Sequence, residues 1–307
     1  MFDYASLAAL AAVVQEGSFE RAALRLHVTP SAVSQRVRAL EERMGCALIV
    51  RGQPCSPTAT GQRLCHHLDH VRLLEHDLQD TLPGNARDTD QRLRLPLAVN
   101  ADSLATWLAP ALATFAAQAP VLLDIAVDDQ DHTQEWLRSG AVLAAVSGNP
   151  VAAAGCNSQR LGSMRYLAVA SPEFVARYFG SGVRAAQLAR APSLVFNSKD
   201  ALQARWVRRL VRRPVDMPQH RVPSPEAFVI AACLGMGWGL QPVALIAAHL
   251  RDGRLVELVP GTALDVPLYW QQARVASKIL QELTAHILAT ADRTLLHAGS
   301  AASPVTL

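Results

Sequence analysis

The residues best suited to chemistry in this 307-residue sequence lie close together near its start, in "HVTPSAVSQRVRALEERMG", residues 27–45. Val33, Val37, Leu40 and Met44 recur at helical spacing and form an apolar stripe, which leaves Ser31, Ser34, Gln35 and Arg38 on the outer face. A helix that merely faces water usually carries Glu and Lys there. Gln and Arg instead form paired hydrogen bonds with base edges, Gln with adenine and Arg with guanine, and Ser is small enough for close approach. Thr29, Arg36 and Arg51 suit phosphate, which sets register more than sequence choice. The bland alternative is an ordinary surface helix of a helical bundle. Charge favours the polyanion: Ser18 to Arg51 holds six Arg against three Glu, so the whole net charge of +3 resides in this segment.

Such a helix needs a frame, and the flanking sequence supplies one. Residues 4–16 place Leu7, Leu10, Ala11 and Val14 on one helical stripe that Gly17 ends. Ser18 caps a short second helix completed by Arg21 to Leu26. Thr29 then caps the third, with Pro30 at the first position, where its missing N–H costs nothing, and Gly45 as the stop. "CALIVRGQPCSPT" predicts two short extended pieces around Gly52-Gln53-Pro54, a small hairpin or wing. From Thr58 to about Leu82 a single helix is expected, ended by Pro83-Gly84. Its Leu64, Leu68, Val71 and Leu78 follow the four-three spacing of a helix that pairs with another, so a dimer is expected. "PGNARDTDQ", residues 83–91, is a linker by composition.

Beyond the linker, strand and helix patterns alternate. "LRLPLAVN", "VLLDIAV", "VLAAVS", "YLAVAS" and "SLVFN" predict strands, and residues 277–296 a terminal helix. This order implies a mainly parallel sheet with ligands at the carboxyl ends of its strands. The longest uncharged stretch, residues 227–250, has the length of a membrane span, but Gly235, Gly237, Gly239 and Pro242 break it into helix, short strand and helix. No membrane partner is expected. Five scattered cysteines without C-x-x-C spacing, and an Asp where a signal peptide has Lys or Arg, point to a reducing cytoplasm. "CHHLDH", residues 65–70, sets His66 and His70 four apart as in a helical zinc pair, yet no second ligand cluster accompanies it, so no metal is expected. No G-x-S-x-G, P-loop or H-E-x-x-H is present, and the three glycines of "GMGWG" lack the spacing of a phosphate loop, so neither enzyme activity nor a cofactor is expected. Arg205, Arg208, Arg209, Arg212 and Arg213 read as a solvated helix face.

The run "GSFERAALRLHVTPSAVSQRVRALEERMGCALIVRGQPCSPTATGQRL" resembles the winged helix-turn-helix of LysR-type transcriptional regulators. Its marks are Ala22-Ala23, Leu26, the run Thr29 to Ser34, Leu40-Glu41, Gly45, Leu48, Arg51, and Thr58 to Gly61. The resemblance extends over essentially the whole chain and implies an α+β fold class. A winged helix-turn-helix would occupy residues 1–58, and a linker helix and hinge residues 59–91. A two-subdomain, periplasmic-binding-protein-like α/β effector domain would fill 92–300, with subdomain I near 92–163 and 265–300 and subdomain II near 164–264. It also implies a homodimer or homotetramer gripping an interrupted inverted repeat in double-stranded DNA, with RNA polymerase as a further partner. The DNA-contacting candidates are then Ser18, Arg21, Thr29, Pro30, Ser31, Ser34, Gln35, Arg36, Arg38 and Arg51. The wing segment "GQPCSPT" is less basic than in many members.

A narrower resemblance, in "VNADSLATWLAPAL", "VDDQDHTQEWLRSGAVLAAVS", "MRYLAVASPEF" and "GWGLQPVALI", is to the branch that controls arginine and lysine exporters. It implies a cationic effector between the two subdomains. Asp102 follows the first strand of that domain, and Asp128, Asp129 and Asp131 follow the second, so these carboxylates converge on one crevice. Ser103, Thr106 and Ser224 stand at helix starts suited to the ligand's own carboxylate, and Phe196 and Asn197 end a strand of the second subdomain. The plainer readings make Asp102 a helix cap, give one of the other acids to the helix from His132, and leave Trp107 and Trp238 in the core. The expectation is a regulator that senses lysine or arginine and controls an exporter gene. The alternatives are a LysR-type regulator of another metabolic operon with a different effector, and a cytosolic α/β enzyme.

Overall fold

A computed structural model of the chain describes residues 2–79, 93–128 and 133–297. At the N-terminus, helices α1 (Tyr4–Glu16), α2 (Phe19–Arg25) and α3 (Pro30–Met44) surround one small core. Leu7, Leu10 and Val13 of α1 meet Ala22 and Ala23 of α2 and Val33, Val37 and Leu40 of α3, all buried. Each buried Leu or Val contributes about 1.5–3 kcal/mol. The caps fall where the sequence places them. Ser18 and Thr29 accept the Arg21 and Ala32 amides, while Gly17 and Gly45 close α1 and α3 at φ +67°, a conformation that strains any residue with a Cβ.

The wing is the antiparallel pair β1 (Ile49–Val50) and β2 (Ser56–Pro57). Its base is tied down by the Cys55 N–H on the Gly17 carbonyl at 2.8 Å and by the Leu48 N–H on the Glu41 carboxylate at 2.8 Å. Helix α4 (Ala59–Gln79) follows. The expected stop at Pro83-Gly84 and the linker 83–91 lie outside the described residues. The expected pairing seam needs correction. Leu64 and Leu68 are buried in the chain's own N-terminal core, because α1 packs alongside the first half of α4. Leu73, which the seam omitted, is fully buried in the core of the C-terminal domain. The apolar residues left facing outward are Val71, Leu74 at 47% exposure and Leu78 at 57%. At the far end of α4, the Asp77 carboxylate accepts the N–H groups of Lys278 and Ile279 at 2.7 and 3.4 Å, joining α4 to the start of the C-terminal helix Lys278–Thr294.

The C-terminal domain has two lobes joined by one seven-stranded sheet, with a separate two-stranded sheet in the second lobe. Lobe I holds the parallel strands β3 (Leu93–Val99), β4 (Val121–Val127) and β5 (Ala144–Ser147). The fifteen-residue β6 (Cys156–Ala170) runs from lobe I into lobe II. Lobe II adds the parallel pair β7 (Ser193–Val195) and β8 (Gln219–Arg221), then β9 (Gly239–Pro242) and β10 (Val256–Glu257), which both pair with β6. β11 (Leu264–Ala273) returns antiparallel to β6 and reaches β5, with a bulge between Leu268 and Tyr269. The sheet is therefore mixed, against the mainly parallel one expected. Local alternation of strand and helix implied crossovers throughout, and the fragment "YLAVAS" is only the last part of a strand that joins the lobes.

Residues 227–250 do divide into helix, strand and helix: Pro225–Cys233, β9 and Val243–Arg251. Among the described residues no helix is long and apolar enough to cross a membrane. Trp206 and Trp238 pack with ring centroids 5.3 Å apart in lobe II, and Trp107 is buried in lobe I. The helix Leu202–Val211 turns Leu202, Trp206 and Val207 inward and leaves Arg205, Arg208, Arg209, Arg212 and Arg213 exposed.

Candidate functional site

Two surfaces carry the chemistry. On α3, Ser31, Ser34, Gln35 and Arg38 are exposed, away from the buried Val33, Val37 and Leu40, and Thr29 and Pro30 open the same helix in solvent. Arg38 Nε donates to Glu42 Oε1 at 2.9 Å. An exposed pair of this kind is worth about 0–1 kcal/mol, so a base can replace Glu42 at little cost. Arg36 is half-buried, within electrostatic reach of Asp3. The Arg51 guanidinium lies 5.8 Å from the Phe19 ring centroid. With Ser18 and Arg21 it lines an open recess between the start of α2 and the wing turn. The Ser18 hydroxyl also donates to Glu20 Oε2 at 2.6 Å, so it is a helix cap as well as a surface group.

The second surface is a cleft of about 520 Å³, open mouth included, between the lobes. Its lobe I wall is made where two parallel strands end: Val99 pairs with Val127, so Asn100 and Asp102 stand beside Asp128. The Asp102 carboxylate accepts the Tyr166 hydroxyl at 2.8 Å, and Asp128 accepts the Trp136 indole N–H at 3.1 Å. Lobe II contributes Phe196, Asp200, Phe228 and Gln241. Asn100 and Gln241 are 2% and 1% exposed, yet neither side-chain amide has a hydrogen-bond partner among the described residues. Unsatisfied amides buried on two facing walls are suited to a polar ligand.

The sequence candidates sort clearly against this geometry. Asp102, Asp128 and Phe196 line the cleft. Asp102 is not the helix cap: Asn100 holds that position, and Asp102 sits in the first turn. Asp129 and Asp131 lie outside the described residues. Ser103, Thr106, Asn197 and Ser224 are not part of the cleft wall. Thr106 donates to the Asp102 carbonyl at 2.6 Å, Asn197 Oδ1 accepts the Lys199 and Asp200 N–H groups, and Ser224 caps Pro225–Cys233. Ser103 is fully buried, and its hydroxyl has no hydrogen-bond partner among the described residues. Sequence reasoning missed Asn100, Asp200 and Gln241. Asn100 was findable by the strand-end rule that selected Asp102, and Gln241 is a lone amide inside an apolar run.

The polar cluster on α4 is partly buried. His66 shares a 2.7 Å hydrogen bond with Gln62, and burial, with His70 adding, pushes its pKa down to about 4. Burial pushes Asp69 up to about 6 although Arg72 is 3.7 Å away, and pushes the Cys65 thiol up to about 12. Among the described residues no three His, Cys, Asp or Glu side chains are grouped to hold a metal ion.

Comparison with known proteins matches both surfaces to one family. Residues 4–62 match the model described as bacterial regulatory helix-turn-helix protein, lysR family, and residues 88–292 match the LysR substrate binding domain. The chain is 47% identical to the HTH-type transcriptional regulator ArgP of Pseudomonas aeruginosa over 96% of this chain and 98% of that one. It is 46% identical to LysG of Mycobacterium tuberculosis over 94% of both. Among solved structures it is similar to ArgP from Mycobacterium tuberculosis, with a TM-score of 0.82 and 43% identity over 97% of this chain and 100% of that one. It is also similar to full-length LysG from Corynebacterium glutamicum with bound effector Arg, with a TM-score of 0.71 and 35% identity over 96% and 100%. The chain belongs to the LysR family: it is a DNA-binding transcriptional regulator with an effector-sensing domain, not an enzyme.

Proposed function

We propose that this regulator senses a basic amino acid, lysine or arginine, in the interlobe cleft and controls an amino-acid exporter gene in response. One observation carries it: the cleft combines the Asp128 carboxylate with the buried, unpartnered amides of Asn100 and Gln241 on opposing walls. A carboxylate suits the cationic side chain, and amides suit the α-amino and α-carboxylate groups. The similarity to LysG solved with bound effector Arg supports the same ligand class. Thermal-shift measurements across the amino acids test it. Lysine or arginine should stabilise the protein selectively, and Asp128→Asn should weaken their binding about tenfold, the loss expected for removing one charge-assisted contact. Stabilisation by an anionic or apolar metabolite alone would instead place the protein in another operon's control.

The remaining parts give a cytoplasmic homodimer, or a tetramer of two such dimers. The outward Val71, Leu74 and Leu78 of α4 offer a seam between subunits. Two α3 helices would then read an interrupted inverted repeat, with RNA polymerase recruited alongside. Ser31, Ser34, Gln35 and Arg38 face bases, while Ser18, Arg21, Thr29, Pro30, Arg36 and Arg51 hold the backbone. Arg38→Ala should cost about 1–3 kcal/mol of discrimination at one base pair. Arg51→Ala should weaken all sequences alike and reduce the salt slope by about 1. Gel shifts on operator and scrambled duplex at several salt concentrations separate the two. If both variants keep wild-type preference, α3 is not the reading helix.

A further inference from the structure

One of the cleft's carboxylates already has a cation beside it. Lys199 Nζ, from lobe II, lies 3.2 and 3.4 Å from the two carboxylate oxygens of Asp128 in lobe I. Both partners are held for this contact. Asn197 Oδ1 accepts the Lys199 and Asp200 N–H groups at 2.8 and 3.2 Å, and Asp200 Oδ2 accepts the Phe196 N–H at 2.9 Å, so residues 196–200 form a tight turn that carries Lys199. On the facing wall, the Trp136 indole N–H fixes Asp128 Oδ2 at 3.1 Å. The group on Asp128 is thus a primary ammonium on a four-carbon stem, the same chemistry that a free lysine would present.

We propose that Lys199 is a built-in competitor for the effector: in the empty cleft its ammonium occupies Asp128 and ties the lobes together, and a basic amino acid must displace it to bind. This rests on the cleft being the site of a cationic amino acid. Displacement lowers apparent affinity by the fraction of molecules that hold Lys199 in place. It also gives the empty and loaded states a discrete difference, because the ligand removes one interlobe contact as it makes its own. An amino acid with an uncharged side chain brings no side-chain cation to exchange for the ammonium and leaves the tie intact.

Calorimetric titration of the full-length protein with L-lysine and L-arginine tests this, using Lys199→Met and Lys199→Arg. The pair is partly open to solvent, with side chains 43% and 20% exposed. Lys199→Met should therefore tighten binding of both ligands by about fivefold, the worth of one such ion pair. Lys199→Arg keeps the cation and should stay within about twofold of wild type on the same scale. Unchanged or weaker binding by Lys199→Met overturns the competitor role and makes Lys199 neutral or a ligand contact. Equal tightening by the Met and Arg variants overturns it too, since relief of packing would then be the cause. No heat from either ligand with wild type or Lys199→Met would defeat the reading of the cleft itself, whereas binding that ignores Lys199 defeats only the competition.

Discussion

Gly61→Ala should destabilise the DNA-binding domain by about 3 kcal/mol, the upper part of the usual range for overpacking, and abolish operator binding near 37 °C. In an exposed helix interior the same change normally stabilises by about 0.8–1 kcal/mol. The sign reverses here because α4 crosses the base of the wing with no room for a methyl group. A Cβ on Gly61 would stand 2.0 Å from the Leu48 carbonyl oxygen and 3.0 Å from its carbon. That carbonyl cannot swing aside, since it accepts the Thr58 N–H at 2.9 Å and its own residue is pinned by Glu41. Differential scanning calorimetry checks the stability and a gel shift the binding. A variant as stable as wild type would show that α4 and the wing are not in contact.

Gln241→Met and Asn100→Leu should each change stability and ligand affinity in opposite directions. Both native amides are buried with no hydrogen-bond partner among the described residues, and an unsatisfied buried polar group costs about 1–3 kcal/mol. Apolar replacements of similar shape remove that cost, so the ligand-free protein should melt several degrees higher. The same changes delete hydrogen bonds to a charged ligand, each worth about 1.5–3 kcal/mol, so affinity for lysine or arginine should fall about 10- to 100-fold. Thermal melts with and without ligand read both effects in one experiment. Variants that are less stable when empty, or that bind as well as wild type, would make these amides structural.

The N-terminal domain was legible almost residue by residue because its signals are local. Ser18, Thr29, Pro30, Gly17 and Gly45 act within one turn of where they stand, and the stripe Val33, Val37, Leu40 needs only helical periodicity. What stayed hidden depends on partners distant in sequence. Leu64 and Leu68 fit a subunit seam equally well, and only the position of α1 spends them inside the chain. Only "YLAVAS" within β6 reads as a strand, because nothing local says that Cys156 and Ala170 belong to different lobes. In the cleft, Asp102 and Asp128 were reachable from the ends of two strands. Gln241 and Lys199 approach from lobe II, and their nearness to Asn100 and Asp128 follows from the crossing of the lobes rather than from any motif.

The bond from Asp77 to the start of Lys278–Thr294 has a mechanical consequence. With Leu73 sunk in the C-terminal core and Leu64 and Leu68 in the N-terminal one, α4 is clamped at both ends and acts as a rigid lever arm. Its 21 residues span about 30 Å at the helical rise of about 1.5 Å per residue. A tilt of lobe I by about 10° would swing the tip by about 5 Å, more than the about 3.4 Å step between neighbouring base pairs. A rotation of that size beside the cleft would carry the far end of α4 further than one base-pair step.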